Sequence, residues 1–134
     1  MQPERPAAGS PSAWLRYARS DLAYAQIPRP PEVLLEALCF NTQQAAEKAI
    51  KAVLVLHGIG FPKIHDLKTL LGLLPSSMSV PPAVESATVL TDYAAFARYP
   101  SSLEPVGGDE YARAVEHARS VVAWAEAAIT GASH

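Results

Sequence analysis

Arg113 and His117 stand four positions apart in a proline-free stretch near the end of the chain. That spacing puts both on one side of a helix, one turn apart. An imidazole can transfer protons near neutral pH and a guanidinium can clamp a phosphate, so the residue types suit chemistry on a phosphodiester. Glu116 and Ser120 would share their face, and the same pattern also describes an ordinary solvated helix side. His65 and Asp66 form a second candidate. Asp favours the positive end of a helix and a neighbouring His can bond a loop carbonyl, so capping competes with contact to a ligand or partner. Arg98 and Tyr99 form a third, just before Pro100. As a plain residue Arg98 is a cation in a last helical turn, where the helix dipole favours it.

Other chemistries find less in the sequence. His57 and His65 have no cysteine cluster or second carboxylate beside them, so no metal site is expected. Cys39 sits among apolar helix positions and reads as a small core residue. As the single cysteine it permits no intramolecular disulfide, which fits a reducing compartment. The glycine-rich phosphate loops and the nucleophile-elbow pattern are absent, and no cofactor is expected. Gly107-Gly108 would offer backbone N–H groups to an anion, but Asp109 and Glu110 follow and would repel a phosphate. A net charge of −2 gives no general attraction to nucleic acid, so any RNA contact has to be local. The first residues lack the apolar core of a signal peptide, and no window approaches ~20 consecutive apolar residues. The expectation is a cytoplasmic protein with no membrane contact.

Prolines decide the elements that must position these residues. They cluster so as to leave five proline-free windows, 12–27, 32–61, 63–74, 83–99 and 106–134. The second holds the longest run without a helix breaker, 34–57. There Leu35, Leu38, Thr42, Ala45, Ala49, Val53 and Leu56 recur at spacings of three and four, the period of one helix face. Gln44, Glu47, Lys48 and Lys51 fall at similar spacings and read as a solvated face with an exposed Glu47–Lys51 pair worth ~0.3 kcal/mol. The first helix is expected after Ser12 as N-cap, the fourth over about 82–98, and the last from Asp109 to about Ile129. The fold expected is all-α, an up-and-down bundle of four main helices plus one short one. Residues 1–11 read as a disordered leader and 12–130 as the helical domain.

The run CFNTQQAAEKAIKAVL, with HDL at 65–67 and ARYP at 97–100, resembles the prokaryotic HEPN domain family (higher eukaryotes and prokaryotes nucleotide-binding) from about Trp14 to Ile129. The resemblance implies the same helical architecture and a homodimer in which the ends of the last two helices meet. It implies a small nucleotidyltransferase as partner in a toxin–antitoxin-like pair, with nucleotide or RNA as further ligands. Arg98, Tyr99, His65 and Asp66 are the binding residues it suggests. Ribonucleases of this family carry an arginine followed, after four to six residues, by a histidine. Counted from Arg98, those positions hold Leu103, Glu104 and Pro105, and Arg113 and His117 have only three residues between them. The leading expectation is therefore a HEPN subunit without strong catalysis of its own. One alternative is a metal-independent endoribonuclease toxin using Arg98 or the Arg113/His117 pair. The other is a non-enzymatic helical interaction module.

Overall fold

The computed structural model describes residues 6–96 and 105–132. Every regular element among them is helical. In chain order these are α1 (Pro11–Ala25), α2 (Leu35–Leu56), α3 (Leu67–Gly72), α4 (Pro82–Ser86), a 3-10 segment (Ala87–Asp92), α5 (Tyr93–Phe96) and α6 (Gly108–Ala132). All five proline-free windows hold helix, and the chain is the all-α bundle the periodicity predicts.

Boundaries differ in two instructive places. Ser10, not Ser12, caps α1: its hydroxyl accepts the Ala13 N–H at 3.1 Å, with Pro11 in the first turn where no amide is needed. The single fourth helix expected over 82–98 is instead α4, a tight 3-10 stretch and α5 in succession. Thr88, Val89 and Thr91 are β-branched, and the Thr88 hydroxyl donates to the Glu85 carbonyl at 2.9 Å, a local bond that competes with regular winding. Thr91 uses its hydroxyl elsewhere, accepting the Leu67 N–H at the start of α3 at 3.0 Å.

The 22-residue α2 is the axis of the bundle. It packs against α1, α3, α5, α6 and the 3-10 segment. Ala45, Ala46, Ala49 and Ala52 are fully buried on it, and these small side chains let its neighbours approach closely. Leu38, Ile50 and Leu54 fill the larger spaces, each contributing about 1.5–3 kcal/mol by leaving water. Its C-terminus closes as a Schellman motif: Gly58 takes φ 69°, Ile59 N–H donates to Leu54 at 2.9 Å and Gly58 N–H to Val55 at 3.0 Å. No residue of α2 is exposed. The solvated face expected of Glu47 and Lys51 is therefore corrected; neighbouring elements cover that side of the helix as well.

Helix α1 runs antiparallel to both α2 and α6. Trp14 in its first turns lies by Lys51 and Asp21 further on by Lys48, while Tyr111 near the start of α6 donates its hydroxyl to the carbonyl of Ala25, the last residue of α1, at 2.5 Å. Glu36, in the first turn of α2, accepts the Val106 N–H at 2.8 Å and ties the entry of α6 to the start of α2. No helix among the described residues is long and apolar enough to cross a membrane.

Candidate functional site

Gln43, Glu47 and Lys51 follow one another at four-residue steps, a stripe along α2. The loop between α2 and α3 carries His65 onto that stripe. Glu47 is the hub. Its Oε1 accepts from Gln43 Nε2 at 3.0 Å and lies 2.7 Å from His65 Nδ1, and its Oε2 accepts from Lys51 Nζ at 2.9 Å. Gln43 Nε2 also donates to the His65 carbonyl at 3.2 Å, so the loop is fixed by backbone as well as by ring. Gln44 donates to Gln43 Oε1 at 2.7 Å.

Two aromatic rings close over Lys51. Its ammonium lies 5.7 Å from the Trp14 centroid and 5.3 Å from that of Phe61, and the two rings meet edge to face at 5.8 Å. Both rings offer the cation a π face in place of water. Burial by itself would push the Glu47 carboxyl up, but bonds from Lys51, His65 and Gln43 and the Lys51 charge outweigh it. The net effect holds Glu47 below its ordinary value. An ionised carboxylate only accepts, so His65 Nδ1 carries the proton and donates it to Glu47 Oε1. An imidazole oriented by a carboxylate is half of a general-base arrangement. Here the other members of the cluster, Gln43 and Lys51, are committed to Glu47.

Asp66 acts as the N-cap of α3: its Oδ1 accepts the Lys68 N–H at 3.1 Å and its Oδ2 the Thr69 hydroxyl at 3.0 Å. Leu67 is fully buried. The three residues HDL thus divide into a brace, a cap and a core side chain. The bond to a loop carbonyl expected of His65 is replaced: the ring goes to Glu47, and the His65 carbonyl is itself the acceptor.

Arg113 and His117 do share one side of α6, with Arg113 and Glu116 exposed and His117 and Ser120 half-buried. Neither Arg113 nor His117 has a hydrogen-bond or ion-pair partner among the described residues. The Ser120 hydroxyl bonds back to the Glu116 carbonyl at 3.2 Å. Arg98 and Tyr99 lie outside the described residues. The structure thus brings His65 and Asp66 to one helix start and leaves Arg113 and His117 as a separate pair on α6.

Cys39 is fully buried, and burial chiefly, with the Glu110 charge adding, pushes its thiol up to about 12 despite an opposing hydrogen bond with Tyr93. Tyr93 in turn donates to Glu110 Oε2 at 2.5 Å, a link between α5 and α6. Among the described residues no group of three or more His, Cys, Asp and Glu side chains is placed to hold a metal. Sequence reasoning missed Gln43, Glu47 and Lys51 as a unit. The available signal was two charges and an amide at four-residue steps inside a segment rich in small and apolar residues.

The HEPN domain model matches residues 11–128. Among solved structures, the chain is similar to TT1696 from Thermus thermophilus, at 27% identity over 90% of this chain and 98% of that one, with a TM-score of 0.75. It is also similar to ST0689, an archaeal HEPN homologue, at 23% identity over 87% and 95% of the two chains, with a TM-score of 0.64. No curated protein matches the chain.

Proposed function

The chain belongs to the HEPN domain family, and on that footing we propose that it is the HEPN subunit of a toxin–antitoxin-like pair with a small nucleotidyltransferase. It acts by binding its partner, a nucleotide or RNA, without strong catalysis of its own, as a homodimer in the cytoplasm. The observation that carries this reading is the engagement of His65 by the buried Glu47. The segment most typical of the family, QQAAEKAIKA with HDL, is spent on an internal brace, a cap and core packing, which makes it scaffold for a surface. Arg98 and Tyr99 belong to the proposed binding surface, together with the exposed ends of the HDL loop.

The test is co-expression with the product of a neighbouring nucleotidyltransferase reading frame, followed by size-exclusion chromatography and an RNA-cleavage assay in chelator. A stable complex without cleavage is expected. The endoribonuclease reading keeps one supporting observation, the shared face of Arg113 and His117 on α6. Metal-independent cleavage by the wild type that disappears in His117→Ala would replace the binding reading with that one.

A further inference from the structure

A surface groove between α1 and α2 is lined by Arg16, Tyr17, Ser20, Asp21 and Lys48. Its floor is an ion pair: Lys48 Nζ lies 2.6 Å from Asp21 Oδ2, both side chains about four-fifths buried, and the two charges cancel. Arg16 stands at the edge and pairs with no carboxylate among the described residues. The groove therefore carries one uncompensated positive charge on a chain whose net charge is −2. Tyr17 remains 62% exposed, with the Lys48 ammonium 5.9 Å from its ring centroid. Tyr24 is 55% exposed and seven residues further on, roughly 10 Å along the same side of the helix. Ile27 and Leu34, in the connection between α1 and α2, are exposed as well. Two exposed tyrosines on one side of α1 beside a groove mark an interaction surface, whereas single exposed residues carry no such meaning.

We infer that this groove docks a carboxylate-bearing segment of a partner protein, an acidic side chain flanked by apolar or aromatic residues. The inference rests on the partner-binding reading above and adds a second surface to the one proposed at Arg98, Tyr99 and the HDL loop. The Arg16 fork fits a carboxylate through two parallel hydrogen bonds, a geometry lysine does not reproduce. Tyr17 and Tyr24 supply rigid amphipathic area at low entropic cost, and tyrosine and arginine are the residue types that anchor protein interfaces. Charge favours a protein over a nucleic acid strand. RNA presents a phosphate at every nucleotide and needs several free cations in a row. Within the groove Lys48 is already neutralised by Asp21, and Arg19 beside it pairs with Glu126 at 3.3 Å, which leaves Arg16 as the groove's single free cation among the described residues; Arg29 and Arg119, further along, bond to the Val33 carbonyl and to Gln26 Oε1.

The experiment has two arms. Calorimetry with the purified nucleotidyltransferase compares wild type, Arg16→Glu and Tyr17→Ser with Glu85→Lys, an exposed charge reversal on α4. All four are checked for unchanged thermal unfolding. Affinity should fall at least tenfold for the two groove variants and stay within twofold for Glu85→Lys. A complex that all four proteins form equally well overturns the groove assignment and leaves the partner reading in place. The second arm needs no transferase. An NMR titration with the capped peptide Glu-Phe-Asp-Glu-Phe-Asp should move the Tyr17 and Ser20 amides in the wild type, and not in Arg16→Glu. No shift in the wild type overturns the proposal, whether or not the transferase binds. Shifts of the same amides by a uridine hexanucleotide, stronger than those by the peptide, overturn it in favour of RNA.

Discussion

Glu47 and Lys51 are one helical turn apart with 2.9 Å between Oε2 and Nζ, and both are more than nine-tenths buried. An exposed pair at that spacing is worth a few tenths of a kcal/mol, whereas a buried one is asymmetric in its energetics. The pair contributes little over an apolar replacement of both residues, because desolvation offsets most of the attraction. Removal of one partner strands the other charge without water.

That asymmetry gives the first prediction. Lys51→Met is expected to cost about 3–5 kcal/mol, because it leaves the Glu47 carboxylate uncompensated in the core. Adding Glu47→Leu should recover a large part of the loss, with Gln43 and His65 as the groups left to rehydrate. Urea unfolding of wild type, both single variants and the double variant closes the cycle. Additive losses would mean that the two side chains do not act as a pair.

Acid should act on the same carboxylate. Its folded value lies below that of an unfolded glutamate, ~4.3. The stability it contributes is therefore complete above about pH 4.3 and is lost as pH falls through the folded value. Wild type should exceed Glu47→Gln in urea midpoint at pH 7, and the two should converge as pH drops below about 4. A gap of constant size from pH 7 to pH 3 would show that the charge of Glu47 does not matter to folding.

Cys39 supplies a reporter. Its thiol is fully buried and titrates at about 12, so thiolate is scarce at pH 8 and the sulfur is covered. Labelling by a disulfide reagent should be slower than that of free cysteine by orders of magnitude, and should speed up in step with unfolding as urea rises. Rapid labelling in buffer would place the α2–α5 contact in a locally open state.

The helices were legible in the sequence because their causes are local. Proline placement limits where a helix can run, and three-and-four spacing of apolar residues on α1, α2 and α6 states which side turns inward. Gly58 marks the end of α2 because few other residues accept φ 69° there. The HDL segment also announces a helix start by itself, since Asp66 needs only the next turn to act as its cap.

Glu47 and Lys51 show what local information cannot hold. Charges at helical spacing mean water when the helix lies at the surface, and a paired core when neighbours cover every side. Which applies depends on α1, on Phe61 and on His65, all outside α2 and brought against it only by the tertiary fold. The same limit explains the groove. Arg16 and Arg19 look alike in sequence, yet Glu126 from α6 neutralises Arg19 and nothing among the described residues neutralises Arg16. Local periodicity determined the elements and most of their inward faces. Only the tertiary structure decided which charges are satisfied inside and which stand free to meet a partner, because electrostatic pairing depends on distance in space and not along the chain.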